Sequence, residues 1–377
     1  MTHMRCRRCR RCLLPEGSFH VRLDASGLCN YCRYWDETHE SILDSPRNRP
    51  RLVRRLERFR GRFHYDAAVG LSGGKDSAYV LHRLTETYGA NVLAITFDNG
   101  FLTDYAWNNV REIARATGVD HFVYKPDWEA FRPFYHAAVR KLGDPCLACS
   151  IGGYILSVRG CRDLRVPFFI HGRSPMQMFR HGYPGTRDPG IAILRGNLHE
   201  YSLDALRIRY RAMIRKMRLL LLYLVPNPRT RRRILRELFR GRFSYGEVVP
   251  EFLAFFLFEP YDEAAIVEHL EALDAGYRRP ENHAILGHGD CLIHDAAAFL
   301  YDCQHGMPRV LLDVAAMLRQ GAIGKEEAEG ILEANTPSEE AVEASVNCLL
   351  ERLDMPRTEF EAVVARLRRR SGRLPFG

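Results

Sequence analysis

A short apolar run, Tyr65-Asp66-Ala67-Ala68-Val69-Gly70-Leu71, passes directly into Ser72-Gly73-Gly74-Lys75-Asp76-Ser77, and apolar side chains then recur at helical spacing from Ser77 to Glu86. This junction constrains the fold more than any other part of the chain. A brief apolar run bounded by glycine fits a buried parallel strand, and a strand that turns straight into a helix opens a βαβ unit. Gly73 and Gly74 carry no side chain to hold a ligand away. Successive backbone N–H groups can therefore face an anion at the positive end of the following helix. Lys75 adds a full mobile charge. The chain holds 50 arginines and only 5 lysines, so a lysine at this point marks a preference for a compact point charge.

The alternation continues downstream. The pattern predicts a helix over 77–88, a strand over 91–97, a helix over 103–117, a strand over 121–125, a helix over 128–142 and a further strand over 166–170. Such an order implies an α/β fold, a doubly wound parallel sheet covered on both faces. Ligands of such sheets bind beyond the carboxyl ends of the strands. Ser72 to Ser77, Asp98-Asn99-Gly100 and His171-Gly172-Arg173-Ser174 all fall there. Ser72, Gly73, Gly74, Lys75, Asp76, Ser77, Asp98, Asn99 and Gly172 are thus the expected ligand contacts, and His171 is the one histidine placed for acid–base work. The expected division is a cysteine knuckle over 1–44, a basic connector over 45–63, the core over 64–202, a basic helical insertion over 203–258 and a helical region over 259–377.

Eleven cysteines fall mainly into two groups. Cys9 and Cys12, then Cys29 and Cys32 after sixteen residues, form two Cys-x2-Cys knuckles with structural-zinc spacing, and Cys6 is a spare. A segment this short cannot bury enough apolar surface to fold without such a staple. Cys146 and Cys149, with Cys291 far along the chain, form a second set. Three thiolates from two places suit an iron–sulfur cluster with one open iron, and spacing leaves a second zinc site or a redox pair open.

Arg207 to Arg242 holds thirteen Lys or Arg against Glu237 alone, a local charge of +12 within a chain of net +9. A polyanion such as tRNA, or an anionic surface, is the expected partner of that segment. The longest apolar run, Leu219 to Val225, is far below the roughly 20 residues of a membrane span. A cytoplasmic protein is expected, with peripheral attachment at the inner membrane surface as an alternative.

The strand, Ser72-Gly73-Gly74-Lys75-Asp76-Ser77 and Phe97-Asp98-Asn99-Gly100 together resemble the PP-loop ATP pyrophosphatases, whose fold is of the adenine nucleotide alpha hydrolase type. The pattern differs from Walker A, which ends in Gly-Lys-Ser/Thr. A wider likeness is to the N-acetyl sugar amidotransferases of surface-polysaccharide biosynthesis, including pseudaminic- and legionaminic-type pathways and O-antigen sugar amidines. It is carried by Cys9-Arg10-Arg11-Cys12-Leu13-Leu14-Pro15, Pro145-Cys146-Leu147-Ala148-Cys149, Pro260-Tyr261-Asp262-Glu263, Gly289-Asp290-Cys291-Leu292-Ile293 and Arg319 to Ala328. The sequence departs from that pattern at His171-Gly172-Arg173-Ser174-Pro175, where the family has Gly-Glu-Asn-Pro. The layout of zinc knuckles, PP-loop, central Cys-x2-Cys and one later cysteine is also similar to tRNA-thiolating enzymes that carry a three-cysteine 4Fe-4S cluster.

These resemblances imply cleavage of ATP to AMP and pyrophosphate, with Lys75, Asp76 and Ser72 catalytic and Asp76 placed to hold Mg2+. An amide or carbonyl oxygen becomes an adenylate, and a nitrogen nucleophile then displaces AMP, turning an acetamido sugar into an acetamidino sugar. The alternative is sulfur transfer to tRNA or a small metabolite. The implied partners are a sugar nucleotide or other small molecule, a glutaminase subunit or sulfur-donor protein, and a second copy of the chain.

Overall fold

The computed structural model describes residues 7–43, 45–179, 211, 215, 218–238, 250–273, 277–278 and 289–371. Cys6, Arg207, Arg209, Lys216, Arg240 and Arg242 lie outside the described residues. Five strands form one sheet: β1 (Ala67–Gly70), β2 (Val92–Phe97), β3 (Asp120–Tyr124), β4 (Phe168–His171) and β5 (Glu251–Ala254). Their order is β3-β2-β1-β4-β5, and every neighbouring pair is parallel. The fold is therefore a doubly wound α/β sheet.

Strand side chains alternate between two cores, as the pleat requires. Ala67, Val69, Val92 and Ala94 pack with Leu52 and Leu56 of helix Ser45–Phe59, with Val80 and Leu81 of helix Lys75–His82, and with Ile266 and Leu270 of helix Glu263–Ala272. Ala68, Leu93 and Ile95 face the other way, against Cys161 of helix Pro145–Asp163. Both faces of the inner strands β1, β2 and β4 are covered, which is why these read as apolar runs rather than as alternating ones. Edge strand β3 instead leaves Phe122 and Val123 exposed.

The chain runs outward from β1 through β2 to β3 and then returns to lay β4 on the opposite side of β1. The carboxyl ends of β1 and β4 thus flank the point where the winding reverses, the usual ligand crevice of such sheets. Here the two following loops touch. A Cβ on Gly172, just after β4, would stand 2.8 Å from the Asp76 carbonyl oxygen. Only a residue without a side chain allows this approach.

Two further cores are formed among the described residues. Helices Trp128–Leu142, Pro145–Asp163, His294–His305, Glu339–Leu353 and Arg357–Ser371 enclose one of them. In the other, Leu14, Val21, Tyr31 and the N-terminal cysteines pack on Leu312, Ala315 and Ala316 of helix Leu311–Gln320 and on Ile331 of helix Lys325–Ala334. Phe19 stacks on Tyr301 with ring centroids 6.3 Å apart. The knuckle and the helical C-terminal region thus share one hydrophobic core.

The expected helical insertion over 203–258 needs correction at its end. Glu251–Ala254 form edge strand β5, in register with β4 from Phe168↔Glu251 to His171↔Ala254, and Phe255, Phe256, Leu257 and Phe258 enter the main core. A short apolar run is compatible with strand or helix, and a pairing partner some eighty residues upstream decides the matter here. Helix Pro145–Asp163 was not anticipated either, although Asp144 caps it by accepting from the Leu147 N–H and Pro145 opens it.

Gly73 has φ +85, and a Cβ there would lie 2.4 Å from the Ala106 carbonyl oxygen, whereas Gly61 (φ +68) has nothing within 4 Å. Gly73→Ala is expected to cost about 1–3 kcal/mol or more through backbone clash as well as strain. Gly61→Ala should cost only about 1 kcal/mol, the strain alone. Urea denaturation of the two variants measures the difference.

Candidate functional site

The glycine-rich loop is braced from three sides. Gly74 caps helix Lys75–His82 with an extended backbone (φ −82, ψ 156). The Ser77 hydroxyl donates to the Gly74 carbonyl at 2.9 Å and accepts from the Ser72 N–H at 3.2 Å. The Gly74 N–H points at the Ser72 Oγ, 3.4 Å away. Buried Asn109, on helix Asp104–Thr117, donates from Nδ2 to the Gly73 carbonyl at 2.9 Å and to the Arg278 carbonyl at 3.1 Å, and its Oδ1 accepts from the Arg278 N–H. One amide thus fixes both the loop and a segment 169 residues away.

Lys75 lies between two carboxylates, 3.5 Å from Asp76 and 3.3 Å from Glu263. Glu263 is in the first turn of helix Glu263–Ala272, whose cap is Asp262 accepting from the Ala265 N–H at 3.1 Å. The Tyr261 hydroxyl reaches both carboxylates at 3.4 Å. Burial opposes the charge on Lys75, yet Asp76 and Glu263 outweigh it and leave its pKa raised. The Asp76 carboxyl is also raised, chiefly by burial, with Lys75 working against that shift. Two acidic groups around one ammonium leave net negative charge, the donor chemistry that a hard divalent cation such as Mg2+ takes up beside polyphosphate. Tyr261 and Glu263 belong to the Pro260-Tyr261-Asp262-Glu263 run, which the sequence marks without revealing their approach to Lys75.

The other expected nucleotide contacts point in different directions. Asp98 accepts from the Gly100 N–H at 3.0 Å and lies 3.5 Å from Lys125. Asn99 is buried, accepts from the Phe101 N–H at 2.8 Å, and donates from Nδ2 to the Cys149 sulfur at 3.2 Å. It therefore ties the loop after β2 to the second cysteine set. Burial pushes the His171 pKa down to about 3, and Arg173 adds to the effect, so its imidazole is neutral near pH 7.

The four N-terminal cysteines are fully buried and bring their sulfurs within 4.8 Å of one another. Cys9 and Cys32 sulfurs are 3.7 Å apart, and those of Cys12 and Cys29 are 3.6 Å apart. Zinc–sulfur bonds of about 2.3 Å in a tetrahedron require edges of about 3.8 Å. The Cys29 and Cys32 N–H groups donate to the sulfurs of Cys9 and Cys29. Buried Arg319 packs over the Tyr31 ring at 5.5 Å, its Nη1 and Nη2 without a hydrogen-bond partner among the described residues. Four buried thiols at this spacing fit a zinc–tetrathiolate centre.

Cys146 lies in the first turn of helix Pro145–Asp163 and Cys149 one turn on. Cys291 reaches them because its strand-like bridge to Leu102, the Leu292 N–H donating to the Phe101 carbonyl at 2.8 Å, and the Thr103 hydroxyl donating to the Gly289 carbonyl at 2.9 Å bind residues 289–292 to the loop after β2. Cys149 is pushed up to about 11 by burial, with Cys146 adding and Asn99 opposing. Cys291 is pushed up too, by burial and by Cys149 and Cys146. Arg309 donates from Nη1 to the Cys146 sulfur at 3.5 Å, a contact that the sequence does not announce. Among the described residues only the N-terminal four meet single-ion spacing, so these three thiols are set wider. Donors aimed at two of the sulfurs, with a helix N-terminus beneath Cys146, suit thiolate ligands of a larger inorganic cluster.

No protein-family model matches the chain. A stretch of 99 residues is 26% identical to the uncharacterized protein MJ1599 of Methanocaldococcus jannaschii, over 26% of this chain and 34% of that protein. The chain thus spans about a third of the length of this curated relative. The solved structure of the U34-tRNA thiolase NcsA from Methanococcus maripaludis with its 4Fe-4S cluster superposes at a TM-score of 0.35 and 16% identity, over 88% of this chain and 89% of that one.

Purified protein is expected to carry about one zinc per chain on the N-terminal knuckle. Cys12→Ser should release it and lower the melting temperature, as metal analysis and circular dichroism will record. The neutral His171 generates a second expectation. Its folded pKa of about 3 lies below its ordinary 6.5. Between those values the unfolded chain binds the extra proton, so stability falls as pH drops from 6.5 toward 3. His171→Gln should flatten that slope in denaturation measured at several pH values.

Proposed function

We propose that the protein cleaves ATP to AMP and pyrophosphate, activates a carbonyl or amide oxygen of its acceptor as an adenylate, and replaces that oxygen with sulfur. One observation carries the sulfur step: Asn99, on the loop that follows β2 at the carboxyl edge of the sheet, donates to Cys149 and so binds the three-thiol set to the nucleotide side of the fold. Backbone amides from Gly73 to Ser77 take the departing pyrophosphate, aided by the end of the helix dipole. Lys75 would meet the new negative charge, and the carboxylates of Asp76 and Glu263 beside it would hold a Mg2+ ion, which would neutralise polyphosphate oxygens. Neutral His171 and Gly172 line the same crevice and admit the nucleotide without adding charge.

Cys146, Cys149 and Cys291 would hold an iron–sulfur cluster, which supplies a site for the incoming sulfide. Arg309 and Asn99 stabilise anionic sulfur at Cys146 and Cys149. Sulfide displacing AMP from the adenylate gives a thiocarbonyl product. Nitrogen transfer to an N-acetyl sugar shares the first half of this reaction and takes ammonia from a separate glutaminase. The presence of the three cysteines is common to both likenesses, but the donors aimed at the Cys146 and Cys149 sulfurs favour anionic sulfur chemistry, and sulfur is therefore the better fit.

Anaerobically purified protein should be brown and release AMP and pyrophosphate when ATP and a competent acceptor are present. Lys75→Ala should lower that rate by about 100-fold or more. Cys291→Ala should lose the colour and the thiolated product while still forming the adenylate, read as exchange of pyrophosphate into ATP. Release of ADP overturns the adenylation, and a colourless zinc protein that consumes ammonia overturns the choice of sulfur.

A further inference from the structure

Seven large apolar side chains are well exposed among the described residues, and three of them fall within five positions: Leu219 (57% exposed), Leu222 (46%) and Tyr223 (61%). Residues 211, 215 and 218–224 are helical. Leu221 and Leu224 turn inward and join the core of the helical region, so the exposed three occupy the opposite side. Arg211, Arg215 and Arg218 precede them at three- and four-residue steps and are exposed on that same outward face. After Pro226-Asn227-Pro228, helix Pro228–Leu238 buries Ile234 and Leu238 and exposes Arg229, Arg232 and Arg236. Arg233 is held by Asp127 at 3.1 Å. An apolar strip is therefore bordered at both ends by arginines, within a segment carrying +12.

We propose that this face docks the protein on an anionic lipid bilayer. Leu219, Leu222 and Tyr223 enter the boundary between headgroups and acyl chains, and the arginines meet headgroup phosphates. Such a pairing of apolar strip and cationic flank is the pattern of a helix that lies in the interface plane. No described helix is long and apolar enough to cross a membrane, so the contact lies on the surface. RNA also attracts arginine, but leucines gain nothing against a phosphate backbone, and their exposure argues for lipid. A second copy of the chain is disfavoured, because two such faces would set the exposed arginines of one against those of the other. This docking is independent of the proposed ATP chemistry.

The test uses the full chain and vesicles of equal parts phosphatidylglycerol and phosphatidylcholine, with pure phosphatidylcholine vesicles beside them. Sedimentation should bring down the protein with the anionic vesicles alone, and added salt should weaken it. Leu219→Glu with Leu222→Glu should lower partitioning roughly tenfold or more while leaving zinc content and the thermal melt unchanged. Arg229→Glu with Arg232→Glu should act in the same direction. In a separate variant, Leu222→Trp, fluorescence added to that of the three native tryptophans should shift to the blue on anionic vesicles. Partitioning that ignores the two leucines, or a Leu222→Trp signal that does not move, overturns the proposal. So does tight binding of duplex RNA that keeps the protein off the vesicles.

Discussion

The architecture depends on how closely two backbones approach at the carboxyl edge of the sheet. The loop after β1 passes against helix Asp104–Thr117 at Gly73, and the loop after β4 passes against the first turn of helix Lys75–His82 at Gly172. Neither approach tolerates a Cβ. Because both contacts are backbone to backbone, the amide-lined turn is held by parts that cannot change rotamer, and Asn109 adds hydrogen bonds that lock it from below. For the proposed cleavage of ATP that rigidity would matter, since dipoles already oriented need no reorganisation when charge develops.

Charge around this turn is balanced rather than simply positive. Lys75 is the obvious cation, yet Asp76 and Glu263 flank it and Tyr261 reaches both. In this state the lysine is satisfied inside the protein. On the proposed function, a polyphosphate arriving with a divalent metal would exchange partners with every member of the set, the ammonium passing to phosphate and the carboxylates to metal. Such a group would be a preassembled exchange rather than an open positive pocket.

Much of this was legible in the sequence, for identifiable reasons. The parallel sheet declared itself because strands buried on both faces leave continuous apolar runs, and the helices between them keep a 3.6 period. The four-cysteine cluster declared itself because two Cys-x2-Cys pairs at this spacing converge, and the structure brings their sulfurs within 4.8 Å of one another. What stayed hidden was long-range. Glu251–Ala254 carries no mark of being a strand until β4 is placed beside it. Asn99 reads as a nucleotide contact because it follows Asp98, but its side chain turns toward Cys149, a direction set by the fold of helix Pro145–Asp163. Glu263 and Arg309 approach Lys75 and Cys146 across large sequence separations, and no periodicity encodes such meetings.

The shared core between the cysteine knuckle and helices Leu311–Gln320 and Lys325–Ala334 has a consequence for how the chain is made. Residues 9–32 leave the ribosome well before the apolar surface that covers them, which is synthesised nearly three hundred residues later. The knuckle's apolar surface is covered only when those later helices arrive. Burial of the four cysteines thus belongs to the last stage of folding, and it ties two distant stretches of the sequence into one cooperative unit.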